Sequence, residues 1–221
     1  MKKAVCIISG GMDSALAAFR AKKDGNEIIA LHFNYGQRTQ KKELECFEKI
    51  ADVLGAKKVV LDTSFIKNTS SSSLTDRTLH VRTSGLEEGV PNTYVPYRNG
   101  IFISIAASLA EKEGAQSLYL GVMEEDSSGY PDCTEDFIKK IEDAVNEGTK
   151  KETNIKIHTP LVHLTKSDIV KEALLLDVPL ELTWSCYVNE DEACGVCDSC
   201  RLRLRGFKNA NAVDKIPYVK N

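Results

Sequence analysis

Two groups of residues in this 221-residue chain have types and spacing suited to chemistry, and the first is the hexapeptide Ser9-Gly10-Gly11-Met12-Asp13-Ser14, flanked by Ile8 and Ala15. Paired glycines reach backbone dihedrals closed to other residues and let the chain approach an anion closely, while the N–H groups and dipole at a helix start favour negative charge. Ser9 and Ser14 add hydroxyl donors. No Lys-Ser or Lys-Thr pair follows, so this is not a Walker A loop, and the spacing is not the GxGxxG dinucleotide fingerprint. A plain Gly-Gly turn, with Asp13 or Ser14 capping a helix, accounts for the same residues without a ligand.

The second group is Cys186, Cys194, Cys197 and Cys200, four of the chain's seven cysteines, at the spacing C-x7-C-x2-C-x2-C. Four thiolates from one short stretch complete a tetrahedral Zn²⁺ shell and leave no open position, which points to a structural zinc; an iron–sulfur cluster takes the same donors. Cys6 and Cys46 fall in a predicted strand and helix and read as small buried hydrophobes. His32, His80, His158 and His163 show no ligand spacing; His32, near the end of the second strand, is placed to border a nucleotide.

Elements that would position these groups follow from periodicity. Residues 4–8 form a short apolar run, residues 13–23 are good helix formers closed by Gly25, and residues 27–33, 39–54 and 58–61 repeat strand, helix, strand. Residues 101–113 predict a helix closed by Gly114, residues 117–122 a strand, and residues 137–146 and 166–176 two more helices, the second capped by Thr165. A basic helix follows from residue 198 to 205. This alternation predicts an α/β fold with a doubly wound parallel sheet, in which the first strand–helix junction lies at the carboxyl edge where such sheets bind ligands. The expected division is a nucleotide-binding domain over residues 1–180 and a zinc-binding segment with its helix over residues 181–221. Residues 68–96 are irregular and serine-rich, and read as a mobile cover over the site or as a plain surface loop.

Composition excludes several classes. A net charge of −3 and a pI near 5.9 give no general basic field for a phosphate backbone. The first residues lack a signal-peptide pattern and no stretch is apolar for the ~18 residues a spanning helix needs, so a cytoplasmic protein without membrane contact is expected.

Two further segments combine aromatic, charged and conformationally special residues: Pro91-Asn92-Thr93-Tyr94-Val95-Pro96-Tyr97-Arg98-Asn99-Gly100 and Ser128-Gly129-Tyr130-Pro131-Asp132-Cys133. The hexapeptide resembles the S-G-G-x-D-S signature of the PP-loop ATP pyrophosphatases. Together with the two segments and the cysteine tail, in this order, it resembles the 7-cyano-7-deazaguanine synthases of queuosine biosynthesis over nearly the whole chain. That resemblance implies a carbon–nitrogen ligase converting 7-carboxy-7-deazaguanine and ammonia to the nitrile with ATP and Mg²⁺ through adenylated intermediates, in a homodimer. It implies ATP contacts from Ile8, Ser9, Gly10, Gly11, Met12, Asp13, Ser14 and Ala15. Asp13 would assist Mg²⁺, Arg98 would act on phosphate or carboxylate charge, Asp132 would accept from the guanine-like edge, and Tyr94, Asn99 and Tyr130 would bind substrate. Thr134 stands where that family leads one to expect a basic residue.

Two rival readings use the same residues. A tRNA-modifying PP-loop enzyme, a thiolase or ligase, would grip RNA through Arg201, Arg203, Arg205 and Lys208, against the acidic balance of the chain. A non-enzymatic zinc-ribbon binding protein would turn over no ATP.

Overall fold

The structure, a computed structural model, describes residues 2–85, 89–123 and 129–220. Five parallel strands, β1 (Lys2–Ile7), β2 (Asn26–Asn34), β3 (Lys57–Asp62), β4 (Ser117–Tyr119) and β5 (Lys156–His158), lie in the order β3-β2-β1-β4-β5. Side chains alternate across the pleat and divide the core into two layers. Ala4, Cys6, Ile28 and Ala30 face α1 (Met12–Lys23), α2 (Gln40–Leu54), α5 (Lys166–Leu175) and α6 (Asp198–Asn209). Val5, Ile29, Leu31 and Phe33 face α3 (Arg98–Glu113) and α4 (Glu135–Gly148). The chain leaves β1 toward one face and β4 toward the other, so the crevice at their carboxyl ends is the switch point of the sheet.

Local chemistry sets the boundaries. α2 and α3 end on Gly55 and Gly114 in the left-handed region, φ 62° and 68°. α5 opens with a full capping box in which the Thr165 hydroxyl accepts from Asp168 N while Asp168 reaches back to Thr165. Thr134 caps α4 by accepting from Phe137 N at 3.2 Å, which gives this residue a structural task where a basic side chain was expected.

Three features differ from the sequence reading or add to it. β4 is shorter than the predicted 117–122, because after Leu120 N bonds His158 O at 3.0 Å the chain turns beneath the start of α1 at Gly121. β5 escapes periodicity because only Ile157 of its three residues is buried. The described part of the 68–96 stretch is built rather than merely solvated: Ser72, Ser73, Leu74, Thr93 and Val95 are buried, and Ser73 N bonds Asn92 O at 2.8 Å. Arg38 fastens it by donating to Ser73 O at 2.5 Å and Asp76 O at 2.9 Å.

Candidate active site

A cavity of about 290 Å³ opens at the switch point, close to the lower end of the size expected of small-ligand sites. Its floor is the turn joining β1 to α1. Gly10 sits at φ +93°, and a Cβ there would lie 2.5 Å from the Glu43 carbonyl oxygen, so only glycine fits both the dihedral and the space. Gly11 precedes α1 with no side-chain cap, which leaves the first-turn amides to an outside acceptor. Ser9 Oγ and Ser14 Oγ are 3.1 Å apart, and Ser14 Oγ donates to Gly11 O at 3.0 Å, locking the turn. On the far side, a Cβ on Gly121 would come within 2.5 Å of Ser14 N, so the β4 loop presses directly on the turn.

Of the residues expected to contact nucleotide, Ile8, Ser9, Gly11, Asp13 and Ser14 line the cavity. Met12 and Ala15 point into the core instead, and the Gly10 carbonyl accepts from Trp184 N at 2.9 Å. Asp13 receives two bonds from Lys166 Nζ, at 3.0 and 2.9 Å. Arg98 lines the cavity from the first turn of α3, donates to the Tyr35 hydroxyl at 3.0 Å and lies over the Tyr35 ring. Burial pushes the Tyr35 hydroxyl up to about 12, so it stays a protonated donor.

The expected substrate residues separate. Asn99 and Tyr130 line the cavity with Arg98, and the Tyr130 hydroxyl pairs with Thr93 Oγ1 at 2.7 Å. Asp132 lies behind the wall, buried, where its Oδ2 accepts from Asn99 N at 2.9 Å and so anchors the start of α3. Tyr94 is also outside the lining, its hydroxyl accepting from Tyr97 N at 3.0 Å. Ser128 falls outside the described residues. His32 borders no nucleotide space: it is buried in β2 against Phe47, with Nδ1 on Ile8 O at 2.8 Å.

The four cysteine sulfurs converge, all within 4.8 Å of one another, with Cys194 and Cys200 Sγ 3.9 Å apart. A tetrahedral ion with Zn–S bonds of about 2.3 Å sets its sulfurs ~3.8 Å apart, whereas a multi-iron cluster spreads its thiolates further. Cys186 Sγ accepts N–H bonds from Val188, Asn189 and Cys194 at 3.3 to 3.4 Å, as a metal-bound thiolate would require. Thiol bonds from Cys197 and Cys200, with those amides, hold Cys186 well below the usual thiol range. The set fits zinc, and Cys186 itself reaches the cavity wall.

The basic face expected on α6 is only partly a surface. Arg203 is 1% exposed, its guanidinium doubly bonded to Asp214 at 2.7 and 3.0 Å and donating to Thr183 Oγ1 at 2.8 Å and Leu180 O at 3.0 Å. Arg201 donates to Val196 O and Thr83 O.

Residues missed by sequence reading are Lys166, Tyr35, Glu43 and Tyr187, all on the cavity wall. Tyr35 follows β2 at the carboxyl edge and Lys166 is the first residue of α5, beyond β5, so strand-end position was the available signal.

A parallel sheet with an amide-lined, glycine-built anion turn at its switch point defines a nucleotide-binding α/β protein of the PP-loop type. The backbone resembles a 4-thiouridine synthetase solved with RNA and ATP bound (TM-score 0.53, 18% identity, 82% of this chain and 42% of that one). It also resembles a predicted tRNA methyltransferase subunit from Methanocaldococcus jannaschii (TM-score 0.50, 20% identity, 79% and 75%). At such identities only the fold is shared. Residues 3–211 match the family model "Queuosine biosynthesis protein QueC". The chain is 64% identical to the 7-cyano-7-deazaguanine synthase of a Nitratiruptor species over 98% of each chain. It is 62% identical to that of Campylobacter concisus over 100% of each. This chain belongs to the 7-cyano-7-deazaguanine synthase family of carbon–nitrogen ligases. None of its described helices is long and apolar enough to cross a membrane.

Proposed function

We propose that this chain uses ATP to activate the carboxylate of 7-carboxy-7-deazaguanine and installs ammonia nitrogen, ending at 7-cyano-7-deazaguanine. The observation that carries this reading is the anion turn at residues 9–14, with Lys166 on Asp13, facing the cavity wall from which Arg98 projects. The names borne by full-length relatives supply the substrate class.

A carboxylate oxygen leaves poorly, and transfer of AMP onto it makes a leaving group that ammonia displaces to give an amide. A second activation, at the amide oxygen, permits loss of that oxygen and formation of the nitrile. The turn amides with Ser9 and Ser14 hold the pyrophosphate end of ATP, and Lys166 supplies a cation where charge develops. Arg98, on the cavity wall, steers the acid or the α-phosphate by a bidentate fork. Asp13 would be the protein ligand for Mg²⁺, whose charge would offset that of the phosphates. Asn99 and Tyr130 present a polar edge and a ring to the deazapurine, and Asp132 acts on substrate through Asn99 rather than by touching it. Zn²⁺ on Cys186, Cys194, Cys197 and Cys200 supplies structure, tying the C-terminal segment to the cavity wall. A homodimer and a cytoplasmic setting complete the proposal.

Incubation with ATP, Mg²⁺, ammonium and 7-carboxy-7-deazaguanine, read by mass spectrometry, should yield the nitrile with release of pyrophosphate. A purine recovered unchanged would reject the reading. Sedimentation reads the dimer independently.

A further inference from the structure

Glu43 stands in the first turn of α2 and lines the cavity, yet nothing above uses it. Its Oε1 accepts from Thr39 Oγ1 at 2.7 Å and its Oε2 from Gln37 Nε2 at 3.0 Å. Gln37 is itself fixed, because its Oε1 accepts from Tyr35 N at 2.9 Å. The close packing of the Glu43 backbone on Gly10 places this turn of α2 beside the phosphate loop. Two neutral donors thus hold the carboxylate, one on each oxygen, and each oxygen keeps capacity for a further hydrogen bond.

The other acidic side chains on the described wall are placed differently. Asp13 takes both bonds of Lys166, and Asp198, next in sequence to Cys197, has Oδ2 at 3.5 Å from Arg82 and a buried Oδ1 that makes no hydrogen bond. Tyr35, Tyr130 and Tyr187 are all pushed up by burial and keep their protons. Nitrogen insertion nonetheless needs an acceptor, since ammonia arrives with three hydrogens and the amide keeps two.

We propose, resting on the function above, that Glu43 is the catalytic residue of nitrogen insertion: it binds the incoming ammonia and takes the proton that the nitrogen sheds. The nitrogen lone pair forms the C–N bond at the acyl carbon, and the C–O bond to AMP breaks with its electron pair on the AMP oxygen. One N–H proton passes to Glu43. Acyl-adenylate and ammonia thus give amide, AMP and one proton, with nothing left over.

The surroundings suit an acceptor. Burial raises the Glu43 carboxyl above the usual range, against the Thr39 and Gln37 hydrogen bonds and the charge of Arg98 from α3, while Glu190 from the cysteine segment pushes the same way as burial. Tyr35 faces it from the end of β2. A carboxylate moved toward neutrality is a better base at working pH than an ordinary one.

The test separates half-reactions in the full-length protein. Exchange of pyrophosphate into ATP, dependent on the acid and measured without ammonium, reads adenylation; nitrile formation at saturating ATP and acid reads nitrogen insertion. Glu43→Gln should keep the exchange rate and lower nitrile formation by roughly 10²–10⁴-fold, the usual span for a lost general base. It should also flatten the acid limb of the kcat/KM profile for ammonium. Glu43→Asp, which keeps the charge but withdraws it by one methylene, should recover part of that rate with a raised KM for ammonium, and it gives the reading should the Gln variant prove unfolded. Unchanged product rates and ammonium KM would overturn the proposal, as would an equal fall in exchange and product. A wild-type protein that makes no nitrile would refute the functional reading itself, and this step with it.

Discussion

On the proposed zinc assignment, Cys200→Ser removes one of four thiolates whose closure on the metal supplies most of the folding energy of residues 186–200. Structural zinc in small thiolate sites contributes ~10–16 kcal/mol of apparent binding energy, comparable with the whole stability of a domain at ~5–15 kcal/mol. The stretch has only a small apolar cluster to replace it: Cys46, Trp184, Ala193, Ile216 and the cysteines, with Val81, Tyr187 and Tyr218 packed against them and only partly buried. Burial of one such aliphatic side chain contributes only about 1.5–3 kcal/mol. The chain on either side is anchored separately, through Arg203 and Asp214 and through the packing of α6 on α5. Metal loss should therefore melt residues 186–200 first and leave the sheet standing.

Trp184 reports this directly, being the sole tryptophan. Its Nε1 donates to Asn189 O at 3.0 Å inside the cysteine loop, and its backbone N donates to Gly10 O at 2.9 Å in the phosphate turn. Release of the loop frees the indole and loosens Gly10 together. Metal analysis should find one zinc per wild-type chain and none in the variant. Emission of Trp184 should shift to the red, and a loss of ~5 kcal/mol should lower Tm by about 10–20 °C at 2–4 °C per kcal/mol for a chain of this size. Chelation of the wild type should reproduce all three effects. Unchanged emission and Tm in the metal-free protein would refute the coupling; strong visible absorbance with bound iron would refute zinc.

Other perturbations test separate parts. Asp13→Asn, which keeps shape but discharges the partner of Lys166, should abolish acid-dependent pyrophosphate exchange with Tm nearly unchanged by calorimetry. Arg203→Met leaves Asp214 buried and uncompensated and should cost about 3–5 kcal/mol in denaturant unfolding, whereas Lys208→Met, on the exposed side of α6, should stay within about 0.5 kcal/mol. Asp168 is held below its ordinary 3.8 first by the Thr165 hydroxyl, so its capping contribution is full above that pH and lost as pH falls through the lower folded value. The difference in Tm between wild type and Asp168→Asn should accordingly shrink in acid, and a difference that persists there would contradict the cap.

The glycine turn and the convergence of the four cysteines were legible because each is contiguous in sequence. Ser9 to Ser14 carry their own geometry, and four cysteines within residues 186–200 can hardly avoid one another. The positions of Asp132 and Tyr94, outside the cavity lining, were not legible for the opposite reason. A segment of mixed aromatic and charged residues announces a site, but which of its side chains faces the cavity and which braces the backbone depends on the turn. Tyr97 sits at φ 56° with its ring over Gly100, where a Cβ would come within 2.4 Å, and that packing sets how α3 starts and presents Arg98 and Asn99.

Some of what was missed was nonetheless available. Parallel sheets deliver ligand-binding groups at the carboxyl ends of successive strands. β1 delivers the phosphate turn, β2 leads to Tyr35 and Gln37, β4 to Gly121, and the chain after β5 to Lys166. Tracing each predicted strand to its end would have brought Tyr35 forward, and a full strand count would have done the same for Lys166. The basic helix carries the same lesson in helical period: Cys200, Arg203, Gly206 and Phe207 fall at spacings of three and four, and all are buried. Gly206 fits beneath Lys166, where a Cβ would lie 2.6 Å from its Cγ. An arginine in phase with a metal ligand and a phenylalanine belongs to the inner face, whatever its charge suggests. The α6 face that holds Arg203 and Cys200 is thus also the face that seats Lys166 against Asp13, which joins the cysteine segment to the turn at residues 9–14 through a second route besides Trp184.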